Sequence, residues 1–252
     1  MNDLEKYFYK NPGRLIHKWT HYFDAYERHF NRYRNKKVVI LEIGVYQGGS
    51  LQMWKDYFGA QAEIYGIDLN PTCKKYEEES IKILVGSQSD RVFLQKLKNE
   101  IPPIDILIDD GGHTMQQQII TFEELFDHVK SDGVYLCEDI QTSYVLRYGG
   151  GHKRKGTFIE YSKTFIDQLH AYHSTQSSLK VTNFTQQVKS LHYYDSILVI
   201  EKGNHGKPLH VKTGISSHED KKPKEVSKWK FNLVLNLNKI FRFFNLSNYK
   251  WK

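Results

Sequence analysis

Two short acidic stretches carry the strongest chemical signal in this 252-residue sequence. Asp109-Asp110-Gly111-Gly112-His113 closes the apolar run IDILIDD, and Glu138-Asp139 closes the run GVYLCED. If the two runs are neighbouring strands of an open α/β sheet, their carboxyl ends line one crevice and the acids converge. Three carboxylates with waters suit a hard divalent cation such as magnesium, whose preferred ligands are oxygens. Histidine is the side chain ordinarily able to accept a proton near neutral pH, which makes His113 the candidate base for a hydroxyl held on that ion. The same residues admit a plainer reading, in which Asp109 or Asp110 and Asp139 cap the helices that follow them and His113 is a loop residue.

A second group lies upstream. The segment ILEIGVYQGGS places Glu42 and Gly44 at a strand end and Gly48, Gly49 and Ser50 at the entry to a helix. Glycines allow close approach of a ligand and positive φ, and the helix N-terminus offers unpaired N–H groups. The spacing is not the dinucleotide GxGxxG pattern, because Tyr46 stands where the second glycine would be. Asp68, in IYGIDLN, falls 24 residues after Gly44 at the end of the next strand-like run. A carboxylate there can accept hydrogen bonds from both ribose hydroxyls of a nucleoside bound across the strand ends. A third run ends in Gly86-Ser87-Gln88 and supplies polar groups for the adenine.

Positioning these groups requires strands alternating with helices. KKVVILEIG, AEIYGIDLN, IKILVGSQ, IDILIDDGG and GVYLCED are short, continuously apolar runs, as expected for strands buried on both faces. LQMWKDYFG, SDRVFLQKLKNE and TMQQQIITFEELFDHVK are long enough for the intervening helices, so the pattern is that of βαβ units with a largely parallel sheet. FIDQLHAYHS reads as a further helix, and KVTNFTQQVKSLHYYDSILVIEKG as two late strands that pair antiparallel. In residues 13–34, Leu15, Trp19, Tyr22, Phe23, Tyr26 and Phe30 recur at three- and four-residue spacings, which predicts one amphipathic helix packed on the larger body.

At this point the sequence resembles the class I S-adenosylmethionine-dependent methyltransferases. More narrowly, it is similar to the metal-dependent sugar O-methyltransferases of the macrocin and mycinamicin type and their cephalosporin hydroxylase and rhamnosyl O-methyltransferase relatives. The resemblance covers roughly residues 37 to 160 and rests on LEIGVYQGGSLQMW, GIDLN, IDDGGH and CEDIQTSY followed by YGGG. It implies a Rossmann-like, doubly wound, mostly parallel seven-stranded sheet with a late antiparallel strand. It implies that Asp110, Glu138 and Asp139 hold the metal, that His113 is the general base, and that Glu42, Gly44, Asp68, Ser87, Gln88 and Asp109 surround the S-adenosylmethionine. Residues 141–157, with three consecutive glycines, look like a flexible lid, and Tyr144, Arg147 and His152 are candidate acceptor contacts.

The expected organisation is an N-terminal helical segment (1–35), a methyltransferase domain (36–203), and a linker with a basic amphipathic tail (204–252). The formal net charge of +7 resides in that tail: from Lys221 to Lys252 nine Lys or Arg stand against one acid, Glu225, so the other 220 residues sum to about −1. A near-neutral body lacks the basic groove that nucleic acid needs. Trp229, Leu233, Leu237, Ile240 and Phe244 form one helical stripe in the tail, which fits packing on the core or a partner subunit of a homo-oligomer, or loose contact with an anionic membrane. No apolar run is long enough for a membrane-spanning helix, no secretory leader is recognisable, and Cys73 and Cys137 cannot build a disulfide framework, so the cytosol, including the inner face of its membrane, is the expected compartment. The acceptor class expected is a sugar hydroxyl of a polysaccharide, a nucleotide-sugar or a glycosylated natural product. The alternatives are a catechol or other small diol as acceptor, and a non-catalytic recruitment module of the same fold.

Overall fold

A computed structural model describes residues 1–218 and 227–244. It forms two units, Met1–Pro208 and Leu209–Lys252. The first is built on one seven-stranded sheet: β1 (Val38–Ile43), β2 (Ala62–Asp68), β3 (Ile81–Val85), β4 (Ile104–Asp109), β5 (Val129–Cys137), β6 (Val188–Tyr194) and β7 (Ile197–Lys202), in the order β3-β2-β1-β4-β5-β7-β6. Only β7 runs against its neighbours β5 and β6; every other pairing is parallel. The expected doubly wound sheet with a late antiparallel strand is therefore present.

The strand sequences explain the layering. β1 and β4 are buried along their whole length, which is why VVILEI and IDILID carry apolar residues on both faces. On one face the sheet is covered by α1 (Asp3–Lys10), α2 (Tyr22–Phe30) and α3 (Gly49–Phe58), whose Tyr26, Phe30, Trp54 and Phe58 interlock as edge-on, tilted and stacked aromatic pairs. On the other lie α4 (Arg91–Glu100), α5 (Met115–Leu125) and α6 (Phe158–Leu169), where Phe122, Phe126, Phe165 and Phe184 cluster. Full burial of each such side chain contributes roughly 1.5–3 kcal/mol. A short α7 (Asn183–Gln187) leads into β6.

The N-terminal segment departs from the expected single helix over 13–34. The chain makes α1, which starts with a capping box between Asn2 and Glu5, then runs without helix through residues 11–21 before α2 begins at Tyr22. Leu15 and Trp19, expected on the buried stripe, are more than half exposed. Two constraints explain this. Pro12 and Gly13 keep α1 from running on, and the backbone carbonyls of Arg14 and Leu15 lie so close to Gly49 that a Cβ there would come within 2.5 Å of both. Helical winding would withdraw that close-packed strap from the start of α3. In the same way, Val129 and Lys130, expected at the end of a helix, open β5 instead.

The second unit contains α8 (Lys228–Phe243), on which Trp229, Leu233 and Ile240 are exposed and Val234 is buried. The basic residues Lys221, Lys222, Lys224, Lys250 and Lys252 lie outside the described residues. Among the described residues no helix is long and apolar enough to cross a membrane.

Candidate active site

The strand order reverses between β1 and β4, and the crevice of an open α/β sheet opens at such a switch point, beyond the carboxyl ends of the strands. A cleft of about 560 Å³ lies there, a volume typical of small-molecule sites. Its walls come from the ends of β1 to β5, namely Gly44, Asp68, Ser87 with Gln88, Asp110 to His113, and Glu138 with Asp139.

The half around β1 and β2 is organised by backbone. Gly44 has φ +97°, and a Cβ on it would meet the carbonyl oxygen of Asp110 at 2.0 Å, so no other residue fits this crossing. Asp68 Oδ2 accepts hydrogen bonds from the backbone N–H of Val45 (3.0 Å) and Tyr46 (2.9 Å), and Oδ1 accepts from Asn70 (2.8 Å). The carboxylate thus ties down the glycine turn while standing in the cleft wall. Tyr46 is held at φ +50° beside it. At the end of β3, Gln88 is buried: its amide nitrogen donates to Asp109 Oδ1 (2.9 Å) and its oxygen accepts from the Gly112 N–H (2.7 Å). Gln88 thereby fixes the turn that carries His113. Burial pushes the Asp109 carboxyl up to about 7, against the lowering effect of the Gln88 hydrogen bond.

The other half is organised by charge. β4 and β5 are adjacent, with Asp109 in register with Cys137, so the acids after each strand converge as the spacing required. His113 Nε2 lies 3.4 Å from Asp139 Oδ2 and 3.7 Å from Asp110 Oδ1. His113 and Asp139 both hold positive φ, +56° and +54°, which in non-glycine residues costs on the order of 1 kcal/mol or more each and is characteristic of functional turns. Donor atoms of Asp110, His113 and Asp139 all lie within 4.8 Å of one another, a set able to hold a metal ion. His113 Nδ1 is buried with no hydrogen-bond partner among the described residues.

Three residues of the N-terminal segment complete this half, and all three escaped sequence reasoning. The Lys18 ammonium is buried and donates to Asp110 Oδ2 (2.5 Å), Glu138 Oε1 (2.9 Å) and Glu42 Oε1 (3.4 Å). The Tyr26 hydroxyl donates to Glu138 Oε1 (2.6 Å) and the Tyr22 hydroxyl to Asp139 Oδ1 (2.5 Å). Burial penalises the charge on Lys18, but Asp110 and Glu138 outweigh it and hold the ammonium protonated. Burial and the neighbouring Asp110 push Glu138 up, with Lys18 and Tyr26 opposing. Burial also works against Asp139, yet the Tyr22 and Gln141 hydrogen bonds keep it below the usual carboxylate range. The signal in the sequence was the four-residue spacing of Tyr22 and Tyr26, two hydroxyl-tipped side chains on one face of α2, whereas Lys18 precedes the helix and left no such signal.

Several expected site residues sit elsewhere. Glu42, Gly48, Gly49 and Ser50 are buried beneath the cleft and do not line it: Ser50 donates to Glu42 at 2.7 Å, Gly48 packs against the Tyr76 ring, and Gly49 against the 14–16 strap. Close packing within the chain accounts for these glycines, and the first turn of α3 is covered by it. Tyr144, Arg147 and His152 are exposed and outside the cleft wall. The segment expected as a flexible lid is tied down where it begins: Thr142 Oγ1 donates to the His113 carbonyl at 2.9 Å, and Gly151 N–H donates to the Ser143 carbonyl at 2.8 Å.

By donor chemistry the cluster fits a hard divalent cation. The set that meets is Asp110, His113 and Asp139, two carboxylates and an imidazole, while Glu138, the third expected ligand, lies outside it and accepts from Lys18 and Tyr26; the Lys18 ammonium on Asp110 and Glu138 shows that these acids accept a cation. The Gly44 and Asp68 half has the volume and polar wall for a nucleoside.

Comparison with known proteins agrees with this arrangement. Residues 41–140 match a family described as a methyltransferase domain. Demethylmacrocin O-methyltransferase of Streptomyces fradiae is 37% identical over 203 residues, 75% of this chain and 51% of the relative. A tetracenomycin-C rhamnosyl 3'-O-methyltransferase of Streptomyces olivaceus is 37% identical over 196 residues, 73% of this chain and 50% of the relative. Among solved structures, the MycE methyltransferase of mycinamycin biosynthesis, in complex with Mg, SAH and mycinamycin VI, superposes with a TM-score of 0.70 at 32% identity, over 80% of this chain and 53% of that one. The chain spans about half the length of the curated relatives it matches. Sheet order, switch-point cleft and relatives together place the chain in the class I S-adenosylmethionine-dependent methyltransferase family, beside the sugar O-methyltransferases.

Proposed function

We propose that the protein transfers a methyl group from S-adenosylmethionine to a sugar hydroxyl with the help of a divalent cation. The observation that carries this reading is the meeting of Asp110, His113 and Asp139 within 4.8 Å at the ends of β4 and β5, in the same cleft as Gly44 and Asp68. When bound, the cofactor supplies an electrophilic methyl on a sulfonium, and a divalent cation such as magnesium supplies Lewis acidity that makes a hydroxyl easier to deprotonate. Asp68 is the carboxylate for the ribose hydroxyls, and Ser87 lines the neighbouring wall. Asp110, Asp139 and Glu138 are the metal carboxylates. His113 Nε2, which lies on the side of these acids, takes the proton of the acceptor hydroxyl as its oxygen forms the new bond to the methyl carbon and the carbon–sulfur bond breaks. Asp139, kept ionised by Tyr22, then faces the imidazolium and stabilises it.

The acceptor reading rests on the relatives, whose names give demethylmacrocin and a rhamnosyl-tetracenomycin C as acceptors. A catechol-type diol is the competing acceptor. The exposed Trp229, Leu233 and Ile240, with Lys228, Lys230 and Lys239 on the same helix, support contact of the tail with an anionic lipid surface, where a lipid-linked glycan is the corresponding acceptor. Flotation with anionic and neutral vesicles tests that part. The transfer itself is tested by incubating the full chain with labelled S-adenosylmethionine, magnesium, and panels of glycosides, nucleotide-sugars and catechols. Label in a sugar product that chelation abolishes supports the reading. Label confined to catechols, or unaffected by chelation, contradicts it.

A further inference from the structure

The ammonium of Lys18 occupies the acid cluster in an unusual way. An ammonium has three donors, and here each meets a carboxylate from a different strand end: Glu42 of β1, Asp110 after β4 and Glu138 after β5. The side chain is only 2% exposed and its stem arrives from the extended strap over residues 11–21, whose anchor on Gly49 fixes its reach. Two of the three acceptors, Asp110 and Glu138, are carboxylates assigned above to the divalent cation. A carboxylate oxygen that ligates such an ion is committed at close range, and a second positive charge a few ångströms away repels the first. The acids also have a need for this lysine: Glu42, Asp110, Glu138 and Asp139 lie together, and buried carboxylates with no counter-charge are strongly destabilising.

We propose that Lys18 is a tethered competitor of the divalent cation: it neutralises the acid cluster before loading and sets the affinity for the metal below what the carboxylates alone would give. Lys18 is thus a positioning residue that tunes the metal site through charge. The inference rests on the metal reading above.

The test is calorimetric titration of MgCl2, and separately MnCl2, into the full chain and two variants, slightly above neutral pH. Lys18→Met removes the competitor. The double variant Lys18→Met/Glu42→Gln also removes one buried acid that is not an assigned ligand, so that the cluster keeps its net charge and folds where the single variant does not. Thermal unfolding without metal establishes that each variant is folded. The expected result is divalent binding at least about tenfold tighter in the folded variants than in the wild type. Tyr26→Phe, which removes a partner of Glu138 but leaves the ammonium, is expected to shift affinity much less. Equal or weaker divalent binding in a folded Lys18 variant overturns the inference while leaving the metal reading standing. Failure of the wild type and both variants to bind either ion overturns the metal reading and the inference with it.

Discussion

The two halves of the cleft are built by opposite means. Around β1 and β2 the chain uses backbone: a glycine at φ +97°, two N–H groups on Asp68 Oδ2, and a tight turn between neighbours in sequence. Around β4 and β5 it uses charge and hydroxyls, and assembles Lys18, Tyr22, Tyr26, Asp110, His113, Glu138 and Asp139 from segments up to 120 residues apart. The first half offers preformed polar groups to a ligand recognised through its nucleoside. The second is a balance of charge, its acids offset by the Lys18 ammonium and bonded by the Tyr22 and Tyr26 hydroxyls. Under the proposed function one half holds a cofactor and the other admits a cation and moves a proton, needs that differ physically and that fall on either side of the switch point.

The largest expected break between the halves is catalytic. His113→Ala should lower the rate of methyl transfer by about 10²–10⁴, as loss of a general base does, while leaving S-adenosylmethionine binding within calorimetric error. A smaller change in rate, or loss of cofactor binding, would merge the halves. Next comes Lys18→Met, which leaves buried acids uncompensated and should destabilise the metal-free protein by about 3–5 kcal/mol in thermal or urea unfolding.

A third prediction concerns Asp109, which lies between the halves. Its folded carboxyl sits at about 7, above its unfolded value, so it stabilises the fold fully at pH below the ordinary carboxylate range and loses that contribution as pH rises through about 7. Asp109→Asn should flatten this fall, worth on the order of 4 kcal/mol between those limits, when unfolding free energy is measured against pH. The smallest effect is expected for Tyr22→Phe, about 1 kcal/mol from the lost hydrogen bond. Asp139 is depressed in the folded state, so its contribution is present above the usual carboxylate range and fades as pH falls through its folded value. The variant and wild type should therefore converge in stability at low pH, which urea titrations at several pH values would reveal.

The same contrast explains what could be read from sequence. Gly44, Asp68, Asp110, His113 and Asp139 were legible because each stands at the end of a short apolar run, and strand ends in a parallel sheet share one edge. Lys18 was not, because its partners are 24, 92 and 120 residues away and its own segment mimics a helix in its apolar spacing. The exposed Leu15 and Trp19 fit that helical pattern, but the packing of the strap on Gly49 overrides it. The capping box of Asn2 and Glu5 is a local signal for α1 that the reading of residues 13–34 as one helix passed over. Gly48, Gly49 and Ser50 show the converse: a glycine-rich turn looks like a ligand cradle from sequence, yet here Tyr76 and the strap fill the space.

The most direct measurement is calorimetric titration of S-adenosylmethionine into the wild type, Asp68→Ala and Asp110→Asn, with each variant's fold checked by thermal unfolding. The separation of the cleft into a cofactor half and an acid half predicts binding to the wild type, loss of binding in Asp68→Ala, and near-normal binding in Asp110→Asn. Absence of binding to the wild type, or equal loss in both variants, would contradict it.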